Sequence, residues 1–376
     1  MNKKKILCFC LALGAFSAMM AQETLSLSQC LQMAVDNNLS LQKSRNEIAK
    51  GKYSISENQA KLLPQINAVA QLNDNFTPPV SVTDGSAYGK PYNVTKTLQY
   101  NASAGLQLQM PLYNQMVNTA IDIAKIADHL NQLSYEKARE DLIVQTAKMY
   151  YMAQNTAEQI RLVNDNIKRL EELYGITQAF YDNQMSLEVD VKRVKLNIEN
   201  LTVQRDNAIA MLDQQYTMLK YVIDYPAEKQ IKVSEVNPGE IETVNANGLN
   251  THLYELQLLE KRKELAQKQT KLAKDGYLPS VSLTGSLMYS AFTDKIEHWI
   301  HSGESNHWYG SNGIGIQLRV PVFDGFEKRS KIRRAKMEEE NARIGYEDAL
   351  KGMQANYMNA VSEVNNSQRN YKKQFD

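Results

Sequence analysis

The side chains best equipped for chemistry crowd one short stretch, where His298, His301 and His307 stand with Glu297 and Glu304 within eleven residues. Imidazole nitrogens and carboxylates are zinc ligands, and the His298-x-x-His301 spacing is one that zinc accepts. A lone polar loop offers no outer partners to orient those rings, so no metal centre is expected there. The other histidines, His129 and His252, fall on predicted helices among charged neighbours and are expected to be solvated. Glu338-Glu339-Glu340 reads as a wet helix face. No nucleophile stands in a pattern with a base, so neither catalysis nor a cofactor is expected.

The N-terminus carries a basic start (Lys3, Lys4, Lys5), an apolar run from Ile6 to Met20, and Ala21 before Gln22. The run is shorter than the roughly 20 residues a spanning helix needs, and residues 1–21 read as a cleaved signal peptide. Cys8 and Cys10 leave with it. Cys30 is then the sole thiol, so no intrachain disulfide is possible after processing. It lies well beyond the apolar run and follows the bulky Gln29, which argues for a plain helical cysteine over a lipid attachment site.

Lys and Arg number 43 against 42 Asp and Glu, giving a net charge of +1 that provides no reason to expect nucleic acid. Gly (17) and Pro (9) are scarce, as suits long, partly solvated helices better than a compact α/β core.

What positions the polar side chains is a repeat. Gly105–Asn114 reads GLQLQMPLYN and Gly315–Asp324 reads GIQLRVPVFD, at an offset of 210 residues. Leu63-Pro64-Gln65-Ile66 is echoed by Leu278-Pro279-Ser280-Val281, at an offset of 215. Two matches in the same order mark a tandem duplication. Each copy holds two strands. From Leu98 to Met110 the even positions are apolar or small, while the odd ones include Gln99, Asn101, Ser103, Gln107 and Gln109. That period of two predicts a strand with one polar face. Gln65–Asn73, Ser280–Tyr289 and Gly313–Val322 alternate likewise, the last with Gln317 and Arg319 on its polar side. Their lengths meet or approach the roughly 9–11 residues of a tilted membrane strand. The connection 74–97 contains Pro78, Pro79, Gly85, Gly89 and Pro91, so no regular structure is expected through most of it. The connection 290–312 carries Trp299, Trp308 and Tyr309, read as loop residues near the membrane interface.

The rest reads as helix. Residues 115–181 contain no Pro and only Gly175. Ile160, Val163, Ile167, Leu170 and Tyr174 keep the alternating spacing of three and four that makes a coiled-coil seam. The returning arm shows the same in Val191, Val194, Ile198, Leu201, Ala208, Leu212 and Leu219, interrupted by Arg205 and Gln215. The turn between the arms falls at 183–187. Asn114 and Asp324 are each placed to cap a helix, and Glu327 adds a capping-box match to Asp324.

An open sheet edge in lipid leaves backbone groups unpaired at several kcal/mol each, so four strands must share a barrel with other copies. Two copies give eight strands and a filled interior; three give twelve and an aqueous lumen lined by Gln99, Asn101, Ser103, Gln107, Gln109, Gln317 and Arg319. The arithmetic favours three or more without fixing the number. The competing reading is a structural periplasmic coiled-coil or adaptor protein, which would keep the rods but lack two membrane-length strand pairs.

The duplicated helix–strand–strand–helix unit, with its LPxI/LPxV and G[LI]QLxxPxx[ND] segments, resembles the TolC-like outer-membrane efflux family over nearly the whole processed chain. The resemblance implies a mainly α fold with a small β part. Its long antiparallel coiled-coil helices accompany four membrane-spanning strands contributed to a shared trimeric 12-stranded barrel. It further implies an outer-membrane channel of a tripartite efflux or type I secretion system, extending into the periplasm. The implied partners are two further copies, outer-membrane lipid, a periplasmic adaptor and an inner-membrane transporter. Adaptor contact would fall at the hairpin tip, on Asn183, Gln184, Met185, Ser186, Leu187 and Asp190. There Asp190-Val191 matches the family pair, but Asn183-Gln184-Met185 replaces a Gly, with Asn183 expected to tolerate the left-handed turn. Asp224-Tyr225-Pro226 likewise replaces a Gly-containing turn. The expected organisation is a first repeat over 22–226, a connecting segment over 227–250, and a second repeat over 251–376. That second repeat is expected to lack its final helix, as in a fragment of a longer protein.

Overall fold

A computed structural model describes residues 23–235, 253–295, 297 and 308–375. The expected signal peptide, residues 236–250 of the connecting segment, His252, and His298, Trp299, His301, Glu304 and His307 lie outside the described residues. The chain divides into two compact units. Of the described residues, one unit comprises those within Met1–Glu47, Gln132–Glu255 and Met353–Asp376; the other comprises those within Ile48–Asn131 and Leu256–Gly352. Each draws on both halves of the sequence.

The elements follow in the order β1 (Glu23–Leu25), α1 (Leu27–Asn37), α2 (Leu39–Ala60), β2 (Gln65–Asp74), β3 (Val80–Asp84), β4 (Tyr92–Lys96) and β5 (Tyr100–Tyr113). Then come α3 (Gln115–Asp182), α4 (Glu188–Val222), β6 (Ile231–Val233), α5 (Tyr254–Asp275), β7 (Ser280–Thr293), β8 (Trp308–Arg319) and α6 (Glu327–Phe375). The fold is mainly helical with a small β part, as the sequence implies.

In the first unit, β1 and β6 pair in parallel, Glu23 opposite Ile231 and Leu25 opposite Val233. Around this two-stranded clip, Leu25, Cys30, Ala34, Tyr150, Ala153, Leu219, Ile223, Ile231 and Val233 form a buried core. α1 enters it with a capping box, since Ser26 Oγ accepts from Gln29 N and the Gln29 side chain accepts from Ser26 N. Along α3 and α4 the seam residues are the sheltered ones. Val163, Ile167, Val191, Ala208 and Leu219 are buried, and Ile160, Leu170, Tyr174, Val194, Ile198, Leu201 and Leu212 are half-buried. The seam's interruption by Arg205 is met locally by an ion pair with Asp206, 2.8 Å away.

In the second unit a four-stranded antiparallel sheet runs in the order β2-β5-β7-β8. β5 keeps its ladder with β2 up to Gln109, and its ladder with β7 shifts register between Pro111 and Tyr113. A proline cannot donate to a ladder, which accounts for the irregularity falling there.

Several expectations need correction. Residues 74–97 are not mostly irregular: β3 and β4 form a hairpin, with Val82 opposite Val94. The prolines only bracket it, Pro79 before β3 and Pro91 before β4, leaving two short β-branched runs free to pair. β8 begins at Trp308 and stops at Arg319, where Gly313–Val322 was expected, because its ladder with β7 extends outward to Ala291 opposite Trp308. Trp308 and Tyr309 are therefore strand residues, not loop residues. Asp324 is not the residue immediately before α6. Gly325 and Phe326 intervene with φ of 63° and 68°, and Asp324 Oδ2 reaches past them to accept from Lys328 N at 3.0 Å. That hydrogen bond holds the Asp324 carboxyl below its ordinary pKa. The capping box does not form, since Glu327 turns forward to Lys331 at 2.6 Å. Asn114 does cap as expected, its Oδ1 accepting from Met116 N at 3.1 Å.

Candidate channel-forming surface

The sheet has two chemically distinct faces, and its register sorts them, because residues directly opposite one another share a face. Gln109 stands between Gln65 and Thr284, and Gln107 between Asn67 and Ser286. Ser103 lies between Gln71 and Ser290, and Asn101 between Asn73 and Phe292. Gln317 faces Ser282 and Arg319 faces Ser280, which extends the same polar face across β8. Six of the seven sequence-chosen polar residues thus come together on one face. Gln99 does not join them. It precedes β5, its Nε2 donating to Asp74 Oδ1 at 2.9 Å while its carbonyl accepts from Asn75 N at 2.8 Å.

The opposite face carries Ile66, Leu72, Leu106, Leu108, Leu283, Leu287, Ile314, Ile316 and Leu318. Many are open to the surroundings, Ile66 at 66 % and Ile316 at 71 % exposure. An apolar face of this kind is at home in lipid. Among the described residues, β2 and β8 each pair along one side only.

The helix that follows β5 and the helix that precedes β7 are tied by charge and by a buried hydrogen bond. Thr119 Oγ1 donates to Asp275 Oδ2 at 2.5 Å, joining α3 to α5. Lys268 Nζ donates to Asp122 Oδ2 at 2.9 Å and, chiefly through that bond, holds the Asp122 carboxyl below its ordinary pKa.

The hairpin tip belongs to the first unit. α3 ends in a Schellman arrangement: Gln184 N donates to Tyr181 O and Met185 N to Phe180 O, both at 2.8 Å. The left-handed residue is Gln184, φ 62°, and not Asn183 as expected. Asn183 keeps the helix running by donating from Nδ2 to Ala179 O at 2.7 Å, which moves the reversal one residue on. Asp224 plays the same part after α4, φ 51°, with Tyr225 N donating to Lys220 O at 2.9 Å. Ser186 Oγ donates to Thr177 O at 3.3 Å, and Leu187 starts α4 without a side-chain cap. Met185 and Leu187 are exposed, and Asp190 lies 3.5 Å from Arg193.

Sequence reasoning missed a second apolar stripe. Val189, Leu196 and Val203 recur every seven residues along α4, all more than half exposed, on a face the seam does not use. The signal was present, because a seven-residue apolar spacing marks a helix face that packs on another rod.

A four-stranded sheet with one apolar, exposed face, in a chain whose helices run tens of residues, fits the subunit architecture of outer-membrane efflux proteins. A profile described as "Outer membrane efflux protein" matches residues 30–219 and 254–374. The chain belongs to the outer membrane efflux protein family, and the outer membrane is its location. It is 23 % identical over 368 residues to outer membrane protein TolC of Escherichia coli K12, covering 95 % of this chain and 71 % of that protein. TolC of Vibrio cholerae is 24 % identical over 373 residues, covering 94 % and 75 %. The solved structure of the outer membrane protein VceC from Vibrio cholerae superposes with a TM-score of 0.70 at 15 % identity, covering 91 % of this chain and 79 % of that one. That likeness concerns the fold.

Proposed function

We propose that three copies of this protein close one twelve-stranded barrel in the outer membrane. Their helices would continue it as a periplasmic tunnel that exports small molecules or polypeptides for an inner-membrane transporter. One observation carries the reading: among the described residues, a four-stranded sheet with an exposed apolar face pairs on one side only at β2 and at β8. In lipid those edges demand partners, and antiparallel closure of β8 on the β2 of another copy supplies them without any new segment. Twelve strands leave an aqueous lumen, which Asn101, Ser103, Gln107, Gln109, Gln317 and Arg319 would line, with Gln99 at its outer rim. The stripe Val189-Leu196-Val203 offers the contact between rods of neighbouring copies. The tip residues Asn183, Gln184, Met185, Ser186, Leu187 and Asp190 would meet the periplasmic adaptor.

The reading is tested on the complete gene product in a Gram-negative host. The protein should fractionate with the outer membrane, migrate as a trimer in detergent, and conduct ions in planar bilayers. Arg319→Glu should change the cation-to-anion permeability ratio. A water-soluble periplasmic monomer would sink the proposal.

A further inference from the structure

The start of α6 is densely basic. Six of the ten residues from Glu327 to Lys336 are Lys or Arg, a local charge of +5 in a chain whose net charge is +1. A helix N-terminus already carries partial positive charge, so cations in its first turns work against the helix. Only part of this excess is neutralised internally. Lys328 reaches Asp324 at 3.1 Å and lies over the Tyr277 ring, Lys331 pairs with Glu327, and Arg334 pairs with Glu338 at 3.7 Å. Arg329, Arg333 and Lys336 form no ion pair among the described residues, and all three are exposed. Their spacing of four and three places them on one stripe, while Ala335 is buried and Lys328 and Ile332 are half-buried on another.

The first repeat shows that the helix start does not require this charge. At the offset of 210, Arg329, Lys331, Arg333, Arg334 and Lys336 correspond to Thr119, Ile121, Ile123, Ala124 and Ile126. Four of those five, Thr119, Ile121, Ala124 and Ile126, are buried. The same position after a strand is sheltered and apolar in one copy, exposed and basic in the other.

What precedes the stripe indicates its partner. Ile314, Ile316 and Leu318 on the apolar face of β8 are followed by Val320, Val322, Phe323 and Phe326, all more than half exposed, and then by the cations. Apolar, aromatic, cationic is the order met on leaving a bilayer's hydrocarbon for its phosphate layer. That layer is roughly 5–8 Å thick on each side, and Arg329 and Arg333 are about 6 Å apart along a helix axis. Both fit within it, with Lys336 just beneath.

We infer that Arg329, Arg333 and Lys336 form a docking surface for anionic phospholipid headgroups in the periplasm-facing leaflet. This rests on the channel reading and adds a lipid partner to it. Guanidinium groups engage a phosphodiester through two parallel hydrogen bonds, and each cation near an anionic surface strengthens association about fivefold.

The test compares the full chain with the triple variant R329Q/R333Q/K336Q in nanodiscs containing equal phosphatidylglycerol and phosphatidylcholine. Lipid retained after detergent washing is then quantified by mass spectrometry. A second triple variant, K168Q/R169Q/K195Q, removes the same charge from exposed positions on the α3–α4 hairpin. The wild type and the hairpin variant should retain phosphatidylglycerol in preference. The α6 variant should lose about tenfold or more of it with phosphatidylcholine unchanged. Equal retention by all three proteins, or equal loss from both variants, overturns the inference. So does displacement of the lipid by inorganic phosphate, which would mean a phosphate pocket, or a change of subunit number with lipid retention intact, which would mean a face between copies. Wild-type protein absent from the membrane fraction brings down the channel reading as well. Inserted protein without the phosphatidylglycerol preference brings down this inference alone.

Discussion

The Tyr150 hydroxyl lies 2.5 Å from Ser234 Oγ, and the two residues together lock the small parallel sheet to the long helix. Tyr150 Oη donates to Leu25 O at 3.0 Å and accepts from Ser234 N at 3.1 Å, so one buried side chain ties the end of β1 to the residue that follows β6. Gln154 Nε2 adds a bond to Ser234 O at 2.8 Å. Tyr150→Phe keeps the ring and strands these partners in a water-poor core. It should destabilise the protein by about 1–3 kcal/mol, read as a lower thermal midpoint in detergent.

At the hairpin tip the strain has a simple relief. Gln184 holds a left-handed backbone at φ 62°, a conformation that costs an L-residue roughly 1–2 kcal/mol and glycine very little. Gln184→Gly should therefore raise stability by about 1 kcal/mol or slightly less, since glycine also gains freedom when unfolded. Asn183→Gly should lower it, because Asn183 lies on the helical side of the turn. Paired thermal melts of the two variants separate these outcomes.

Two glycines that the repeat makes equivalent should respond differently to substitution. A Cβ on Gly105 would come within 2.1 Å of Leu287 O and 2.6 Å of Met288 Sδ, whereas one on Gly315 would meet only Thr284 Oγ1 at 3.6 Å. Gly105→Ala should cost about 1–3 kcal/mol by forcing β5 and β7 apart, and Gly315→Ala should be tolerated. The yield of folded protein in the outer membrane reports the difference.

Burial pushes the Cys30 thiol up to about 11. Below about pH 9 the thiol is neutral in folded and unfolded chains alike, and its contribution to stability is complete. As the pH rises from there the unfolded chain ionises first, so stability falls until about pH 11. At pH 8 the folded protein should react with maleimide about 100-fold more slowly than the unfolded chain, because the reactive thiolate is that much rarer. A folded-state labelling rate equal to the unfolded one would contradict this.

Features that depend on a long regular period were legible in the sequence. Leu98 to Met110 alternates strictly because successive residues of a strand fall on opposite faces, and β5 keeps its apolar side chains on one of them. Residues 115–181 form one helix because they hold no proline and a single glycine, Gly175. Features that depend on distant pairing were hidden. β1 and β6 have three residues each, too few for a period, and only their partnership makes them strands. The β3–β4 hairpin was masked by its flanking prolines, although Val80-Ser81-Val82-Thr83 and Tyr92-Asn93-Val94-Thr95 both alternate. The outward extension of β8 through Trp308 is dictated by β7, which that segment's own composition does not reveal. The left-handed turn moved from Asn183 to Gln184 because a side chain's hydrogen bond to Ala179 decides where the helix stops, and residue propensity cannot show that.

The pairing of Glu23–Leu25 with Ile231–Val233 also bears on how the chain acquires its structure. Glu23–Leu25 waits for a partner that follows roughly 200 residues later, a contact of high sequence separation and slow formation. Glu23–Leu25 is thus made well before the strand that fixes it. Until Ile231 and Val233 have been delivered, the core around Leu25 and Cys30 lacks one wall, and the unfinished chain leaves these two side chains open to whatever escorts it.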